Sequence, residues 1–255
     1  MKKYKEKKWL EKQYLENKLS TYEIAKLCNI TNSTICCWLE KFNIQIRNLG
    51  DAFHVARGNH CNLSNEAKQW IDGELLGDGC LKSQSKYSAI FSYSSKYKEY
   101  INYVSDTLNS FGIKRAGKIL IQYDKGYNCY TYKYASLSYA ELLPIRERWY
   151  PNEKKIIPRD LELTPLVLRQ EMIGDGSLIH AKKCKPYISF ATTGFLVPCV
   201  EWLVEKLNKL GFKSTRHKSD NSVYVSTKST KDFINYIGKC PVECYQYKFN
   251  YIRSL

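Results

Sequence analysis

The sequence predicts an α+β protein built from two copies of an αββαββα unit behind a small all-helical module. Three observations predict it: a long segment that occurs twice, apolar periods that switch between helical and strand spacing inside each copy, and a pair of capped short helices in the first 50 residues.

The duplication is read directly. Residues 71–114 contain IDGELLGDGCL, KYSAIFSYSSKYKEY and LNSFGIK, and residues 168–213 contain LRQEMIGDGSL, KPYISFATTGF and LNKLGFK in the same order. Asp78 and Asp175 lie 97 positions apart and Gly112 and Gly211 lie 99 apart, so the copies align with a two-residue difference in length.

In the first copy an apolar helix ends at Gly-Asp-Gly, and strands are predicted near Leu81 and over 87–94. Residues 97–111 form an amphipathic helix with Tyr100, Val104, Leu108 and Phe111 on one face, stopped by Gly112. Strands over 118–123 and 128–135 follow, turned at Asp124-Lys125-Gly126, and Ser138 is expected to cap a closing helix. The second copy repeats the plan through 187–193, 195–210, 222–227 and 230–237. Four of the seven prolines fall within 144–165, which marks a connection between the copies.

The N-terminal segment differs in kind. A helix is expected over 9–17, Ser20 caps a second over 21–28 with Glu23 three positions on, and a third runs over 32–42 after a short turn. That spacing fits a helix-turn-helix, in which the third helix presents Asn32, Ser33 and Thr34 to the major groove. The expected organisation is 1–50 helical module, 51–65 linker, 66–150 first repeat, 151–164 connection and 165–255 second repeat.

The formal charge is +15, from 40 Lys and Arg against 25 Asp and Glu, and 21 Tyr are interleaved with the basic residues. This favours a polyanion partner, because basic side chains release counterions from phosphates and aromatic rings lie against sugars or bases. No run of about 18 apolar residues occurs and the basic start lacks an uninterrupted apolar stretch, so neither membrane insertion nor secretion is expected; the expected place is the cytosol or an organelle matrix. The ten cysteines have no repeated pair spacing, and Cys240 with Cys244 is too sparse a pair for structural zinc.

Asp78 and Asp175 carry the chemistry. Each ends the first helix of its copy, where unpaired carbonyls and the negative end of the helix dipole attract a cation. Gly77 and Gly174 belong to the same expected metal site, as they precede the acids and let the two helix backbones approach closely. One Gly-Asp-Gly is ordinary turn chemistry, but two at matched positions of a duplicated unit point to function. A pair of carboxylates suits magnesium, which binds one or two protein carboxylates together with phosphate oxygens.

IDGELLGDG and LRQEMIGDG resemble the paired motifs of the LAGLIDADG homing endonucleases, and FSYSSKYKEYI, WYPNEKKIIP, LTPLVL and the late YKF resemble segments of the two-motif, single-chain branch, from about residue 64 onward. The resemblance implies a saddle of two αββαββα units whose motif helices form the interface and whose sheets straddle DNA. It implies Asp78 and Asp175 as metal ligands for Mg2+, with Mn2+ or Ca2+ as substitutes. It also implies Lys155 (with Lys154 as an alternative) and Lys248 as basic catalytic residues, and phosphate contacts at Ser94, Lys96, Thr192 and Thr193. Base contacts are expected from strand faces: Tyr132 and Tyr134 pair by repeat position with Tyr224 and Ser226, while the opposite faces disagree between copies, so the DNA-facing set stays open.

Arg169 and Gln170 depart from the small or apolar residues usual in the second motif, and Glu74 and Glu171 stand four residues before each acid, placed to join an interface network or to face solvent. The expected activity is divalent-metal-dependent cleavage of both strands of a long double-stranded DNA target by a monomer. The alternatives are an intron maturase that binds intron RNA and a non-cleaving DNA-binding regulator.

Overall fold

A computed structural model describes residues 2–126, 128–180 and 185–251. The chain divides into two compact units, Met1–Gly58 and Asn59–Leu255.

In the N-terminal unit, α1 (Lys7–Glu11) runs into a π-helical turn at Lys12–Glu16 and is followed by α2 (Thr21–Cys28), α3 (Asn32–Lys41) and α4 (Leu49–Arg57). Ser20 and Glu23 form a reciprocal capping box, in which the Ser20 hydroxyl accepts from Glu23 N and the Glu23 carboxylate accepts from Ser20 N. Asn29 ends α2 in the left-handed region at φ 52°, and Thr31 caps α3, so the three-residue turn is set by local chemistry. Leu10, Tyr14, Ile24, Ile35 and Leu39 form this unit's own core. Part of the segment expected as a linker is therefore structured: α4 occupies Leu49–Arg57, and Asn48 Oδ1 accepts from Asp51 N at its start.

The second unit holds the duplication. Its first half comprises α5 (Asn65–Leu76), β1 (Cys80–Ser85), β2 (Ser88–Ser95), α6 (Lys98–Ser110), β3 (Leu120–Asp124), β4 (Cys129–Ala135) and α7 (Leu142–Trp149). Its second half comprises α8 (Pro165–Gly174), β5 (Gly176–Ile179), β6 (Tyr187–Phe190), α9 (Val197–Lys209), β7 (Ser214–Arg216), β8 (Val223–Val225) and α10 (Thr230–Ile237). Both sheets are antiparallel with the same order, β1-β2-β4-β3 and β5-β6-β8-β7, which is the doubled αββαββα plan. Ser138 does not cap α7: that helix starts four residues later, and the Ser138 hydroxyl donates to the Ser88 hydroxyl at 2.7 Å.

One face of each sheet packs on helices. Ala89, Phe91, Tyr93 and Tyr134 of the first sheet and Ile188, Phe190, Val223 and Val225 of the second are buried in one core with α5 and α8. The alternate residues Ser92 and Ser94, Ser189 and Tyr224 turn to the opposite face. The connection 151–164 joins the halves without helix or strand beyond a 3-10 turn at Pro151–Glu153, with Ile157, Leu161 and Leu163 buried.

α7 is tied to α5 by a buried acid. Asp72 accepts from Trp149 Nε1 at 2.7 Å and from the Arg148 guanidinium, and burial still pushes its carboxyl above the usual range. Asp72→Ala leaves a buried indole N–H unpartnered and Arg148 with only its 3.7 Å ion pair to Asp160, so a loss of about 3 kcal/mol is expected. Urea unfolding would read it as a lower midpoint at unchanged slope; an unmoved midpoint would show that α7 is held by packing alone.

Candidate metal centre and nucleic-acid face

The site begins where α5 and α8 touch. Gly73 packs against α8 so tightly that an added methyl would lie 2.8 Å from Val167 O and 2.9 Å from Val167 Cα. One turn on, a methyl on Gly77 would sit 3.3 Å from Gly174 Cα, and one on Gly174 would sit 3.1 Å from Asp78 N. The two backbones therefore meet at the residues that precede the acids, and Asp78 and Asp175 leave the helices at one place. Asp78 is exposed and Asp175 half-buried. The buried Tyr93 hydroxyl donates to Asp78 Oδ2 over a long 3.4 Å.

The acids feel one another. Burial first, then the Asp78 charge, push the Asp175 carboxyl up to about 6, and Lys155 and Lys248 act against that rise. Two carboxylates held together against repulsion, with backbone carbonyls beside them, make a hard oxygen donor set that fits a magnesium-like ion. Among the described residues no group of three or more His, Cys, Asp or Glu is arranged to hold a metal. Magnesium commonly takes one or two protein carboxylates and completes its shell with water and substrate oxygens, so a site of two acids suits it.

Both expected lysines are at the site, and each is bonded to the end of a motif helix. Lys155 Nζ donates to Gly77 O at 2.9 Å and Gly79 O at 3.1 Å, and Lys248 Nζ donates to Ile173 O at 2.6 Å and Gly174 O at 2.9 Å. Each ammonium caps the C-terminal end of a motif helix, so the carbonyls of Gly77 and Gly174 already accept from lysines. Burial lowers the pKa of both, while the surrounding carboxylates favour the charged form.

Glu74 and Glu171 do not face solvent. Glu74 Oε1 accepts from Tyr100 OH and Gln170 Nε2, each at 2.6 Å, so Gln170 bonds across the helix interface; burial pushes the Glu74 carboxyl up to about 8. Glu171 is buried with neither carboxylate oxygen hydrogen-bonded, and burial and the Asp175 charge raise its pKa far above the ordinary range. Arg169 points the other way and donates to Ile237 O at 2.7 Å, capping the end of α10.

The other expected residues separate into reachable and unreachable. Ser94 is exposed and lines a cleft of about 450 Å³ together with Asp78, Lys82, Lys118 and Lys133. Lys96 and Thr193 are exposed, and Thr193 Oγ1 donates to Asp220 O. Thr192 is corrected: it is fully buried, and its hydroxyl donates to Asn221 O at 2.6 Å, which leaves nothing for a phosphate.

Tyr132 and Tyr134 are corrected as well. Tyr134 pairs with Tyr93 across the ladder, is 2% exposed and packs on Phe91, so both tyrosines belong to the helix-facing side. The cause is a three-residue offset, an odd number, between the match read from the sequence and the match set by the ladders. Cys80 pairs with Ser92 and its counterpart Ser177 with Ser189, and following the ladders onward matches Tyr134 to Val223 and Ala135 to Tyr224. Because side chains alternate, an odd offset exchanges faces. The cleft-facing set of the first sheet is therefore Thr131, Lys133 and their neighbours Leu120 and Gln122. In the second sheet Tyr224 does take the open face, with Tyr187 at 4.9 Å and His217 stacked at 5.5 Å, while the Ser226 hydroxyl is buried without a partner.

In the N-terminal unit, Ser33 and Thr34 share hydrogen bonds with the Thr31 cap, and Asn32 Oδ1 is buried without a hydrogen-bond partner.

A family model described as the LAGLIDADG DNA endonuclease family matches residues 68–233, a span that begins beyond the N-terminal unit and takes in both acids. The uncharacterized protein MJ1098 of Methanocaldococcus jannaschii is 29% identical over 210 residues, covering 78% of this chain and 76% of its own length. The cytochrome b mRNA maturase bI2 of Debaryomyces hansenii is 25% identical over 166 residues, 62% of each chain. Among solved structures, the homing endonuclease I-WcaI bound to its DNA recognition sequence matches with a TM-score of 0.66 and 21% identity, over 75% of this chain and 88% of that one, a likeness of fold.

Proposed function

Because the chain belongs to the LAGLIDADG DNA endonuclease family, we propose that it is a site-specific endonuclease that hydrolyses both strands of a long DNA duplex with a divalent cation. The observation that carries this reading is the contact of Gly77 with Gly174, which delivers one acid from each half to a single place beside the cleft of the first sheet.

Asp78 and Asp175 would hold Mg2+, or Mn2+ or Ca2+ in its place, with the Gly77 and Gly174 carbonyls beside them. The bound ion supplies charge neutralisation at the attacked phosphate and at the leaving oxygen. Lys155 and Lys248 hold the helix ends and offset the repulsion between the acids. Ser94, Lys96 and Thr193 are the exposed groups for phosphate contact, and bases are read by Thr131, Lys133, Gln122 and Tyr224. Selection for cleavage from a randomised duplex library tests the reading: the expected product is cut DNA sharing one long, imperfectly palindromic site, and binding without cutting at any divalent ion would refute it.

The N-terminal unit is a second DNA-binding element in this reading, with the start of α3 toward the major groove and Ser33 the exposed hydroxyl there. Deleting residues 1–58 removes a unit with its own core and is expected to weaken DNA affinity and flatten its salt dependence while cutting persists. An unchanged salt slope in a filter-binding titration would place that unit's partner elsewhere.

The match to a maturase favours a second reading, assistance to RNA splicing by the same chain. A splicing assay on intron-containing transcripts separates the two, since splicing assistance would survive loss of the acids and DNA cutting would not.

A further inference from the structure

Lys133 lies opposite Leu120 on one side and Ser94 on the other, so its side chain shares the cleft face with Ser94. Gln122, two positions beyond Leu120, lies on the same face. Lys133 Nζ donates to Gln122 Oε1 at 2.6 Å, and both residues are exposed.

An ammonium has three donors and no acceptor, so it draws the amide oxygen to itself and leaves the amide NH2 outward. The pair then offers mainly hydrogens, from the amide NH2 and the rest of the ammonium. A free glutamine reads adenine with both ends of its amide, accepting from N6 and donating to N7. With one lone pair of its oxygen taken by Lys133 and the remaining ammonium hydrogens set against the adenine N6 amino donor, Gln122 is weakened in the accepting half of that match. Guanine presents two acceptors in the major groove, O6 and N7, and meets a donor-rich pair without conflict, whereas cytosine presents a donor.

We infer that Lys133 and Gln122 act as one specificity unit that selects guanine at a single position in the half-site read by the first sheet. This rests on the DNA-endonuclease reading and adds the base to it. The second sheet has no such unit at the matched place: the position corresponding to Lys133 is Ser222, buried with its hydroxyl donating to Asp220 Oδ1 at 2.9 Å. The preference is therefore confined to one half-site.

The test is selection of bound duplexes by the full-length chain in Ca2+, comparing wild type with Lys133→Ala, Lys133→Arg and Gln122→Ala. Wild type and Lys133→Arg are expected to recover guanine at one position. Lys133→Ala frees the amide oxygen and should shift that position toward adenine by about 10-fold relative to guanine, while Gln122→Ala should relax it without favouring adenine. A specific site in which Lys133→Ala changes no position, or changes it without an adenine gain, overturns the inference and leaves the endonuclease reading standing. Absence of any selected sequence in wild type overturns both.

Discussion

Asp78→Asn and Asp175→Asn are each expected to lower DNA cutting by on the order of 10^3-fold or more while leaving DNA binding in place, because charge neutralisation by a held cation is worth several kcal/mol in the transition state. The same substitutions should make the ion-free protein more stable. The Asp175 carboxyl, ordinarily near 3.8, is pushed to about 6 by burial and by its neighbour, so at neutral pH it is ionised against both penalties. Above pH 6 the wild type bears that cost in full. As pH falls from 6 toward 3.8, the folded carboxyl takes up its proton before the unfolded one does, and the cost disappears. In EDTA, Asp175→Asn should therefore melt above wild type at pH 8, with the gap closing by about pH 4; a variant that melts lower at pH 8 would show the acid to be a structural cap. Asp78→Asn should lower the pKa of Asp175, as one of its raising causes is removed, which carboxyl NMR would read directly. Either variant cutting like wild type would end the endonuclease assignment.

Gly73→Ala is expected to damage fold and activity together. Alanine raises helix propensity by about 1 kcal/mol over glycine. Against this, its methyl would meet Val167 O and Gln170 Cβ at 2.8 Å and Val167 Cα at 2.9 Å, and two of these atoms are backbone. Backbone gives way only if α5 and α8 separate, and overpacking of this kind costs about 1–3 kcal/mol or more. The clash wins, and Tm should drop by several degrees. Separation also spreads the two acids, and displacement by about 1 Å can cost about 100-fold in rate. Cutting should fall by more than the unfolded fraction accounts for. Full activity per folded molecule would show that the acids are positioned by something other than this helix contact.

Much of this architecture is legible before any coordinates. Gly-Asp-Gly twice in a doubled segment marks the helix ends and their acids, and Ser20 with Glu23 marks the start of α2, since both depend on residues within one or two turns. Resemblance implies Lys155 and Lys248 as basic residues of the site, but that each also donates to carbonyls some 75 residues away in sequence is a pairing no local pattern carries. The sequence leaves Glu74 and Glu171 between an interface network and solvent, and only the packing of α5 on α8 buries them.

The strands show the same division most clearly. Alternation announces that two faces exist but assigns neither to the core when Thr131, Tyr132, Lys133 and Tyr134 can each stand on a sheet surface. Register decides, and register is a relation between chains of hydrogen bonds on β2, β3 and β4 rather than a property of any one strand.

By itself the amino-acid order determined the doubled unit, its helix and strand succession, the helical N-terminal module and the two acids, because each arises from spacing and capping over a few residues. Tertiary structure alone decided which strand face is open, that Thr192 is sealed, that two glutamates lie inside the interface and that both lysines close helix ends. Burial and pairing between distant segments set those outcomes, and a side chain's surroundings are not written in its neighbours along the chain.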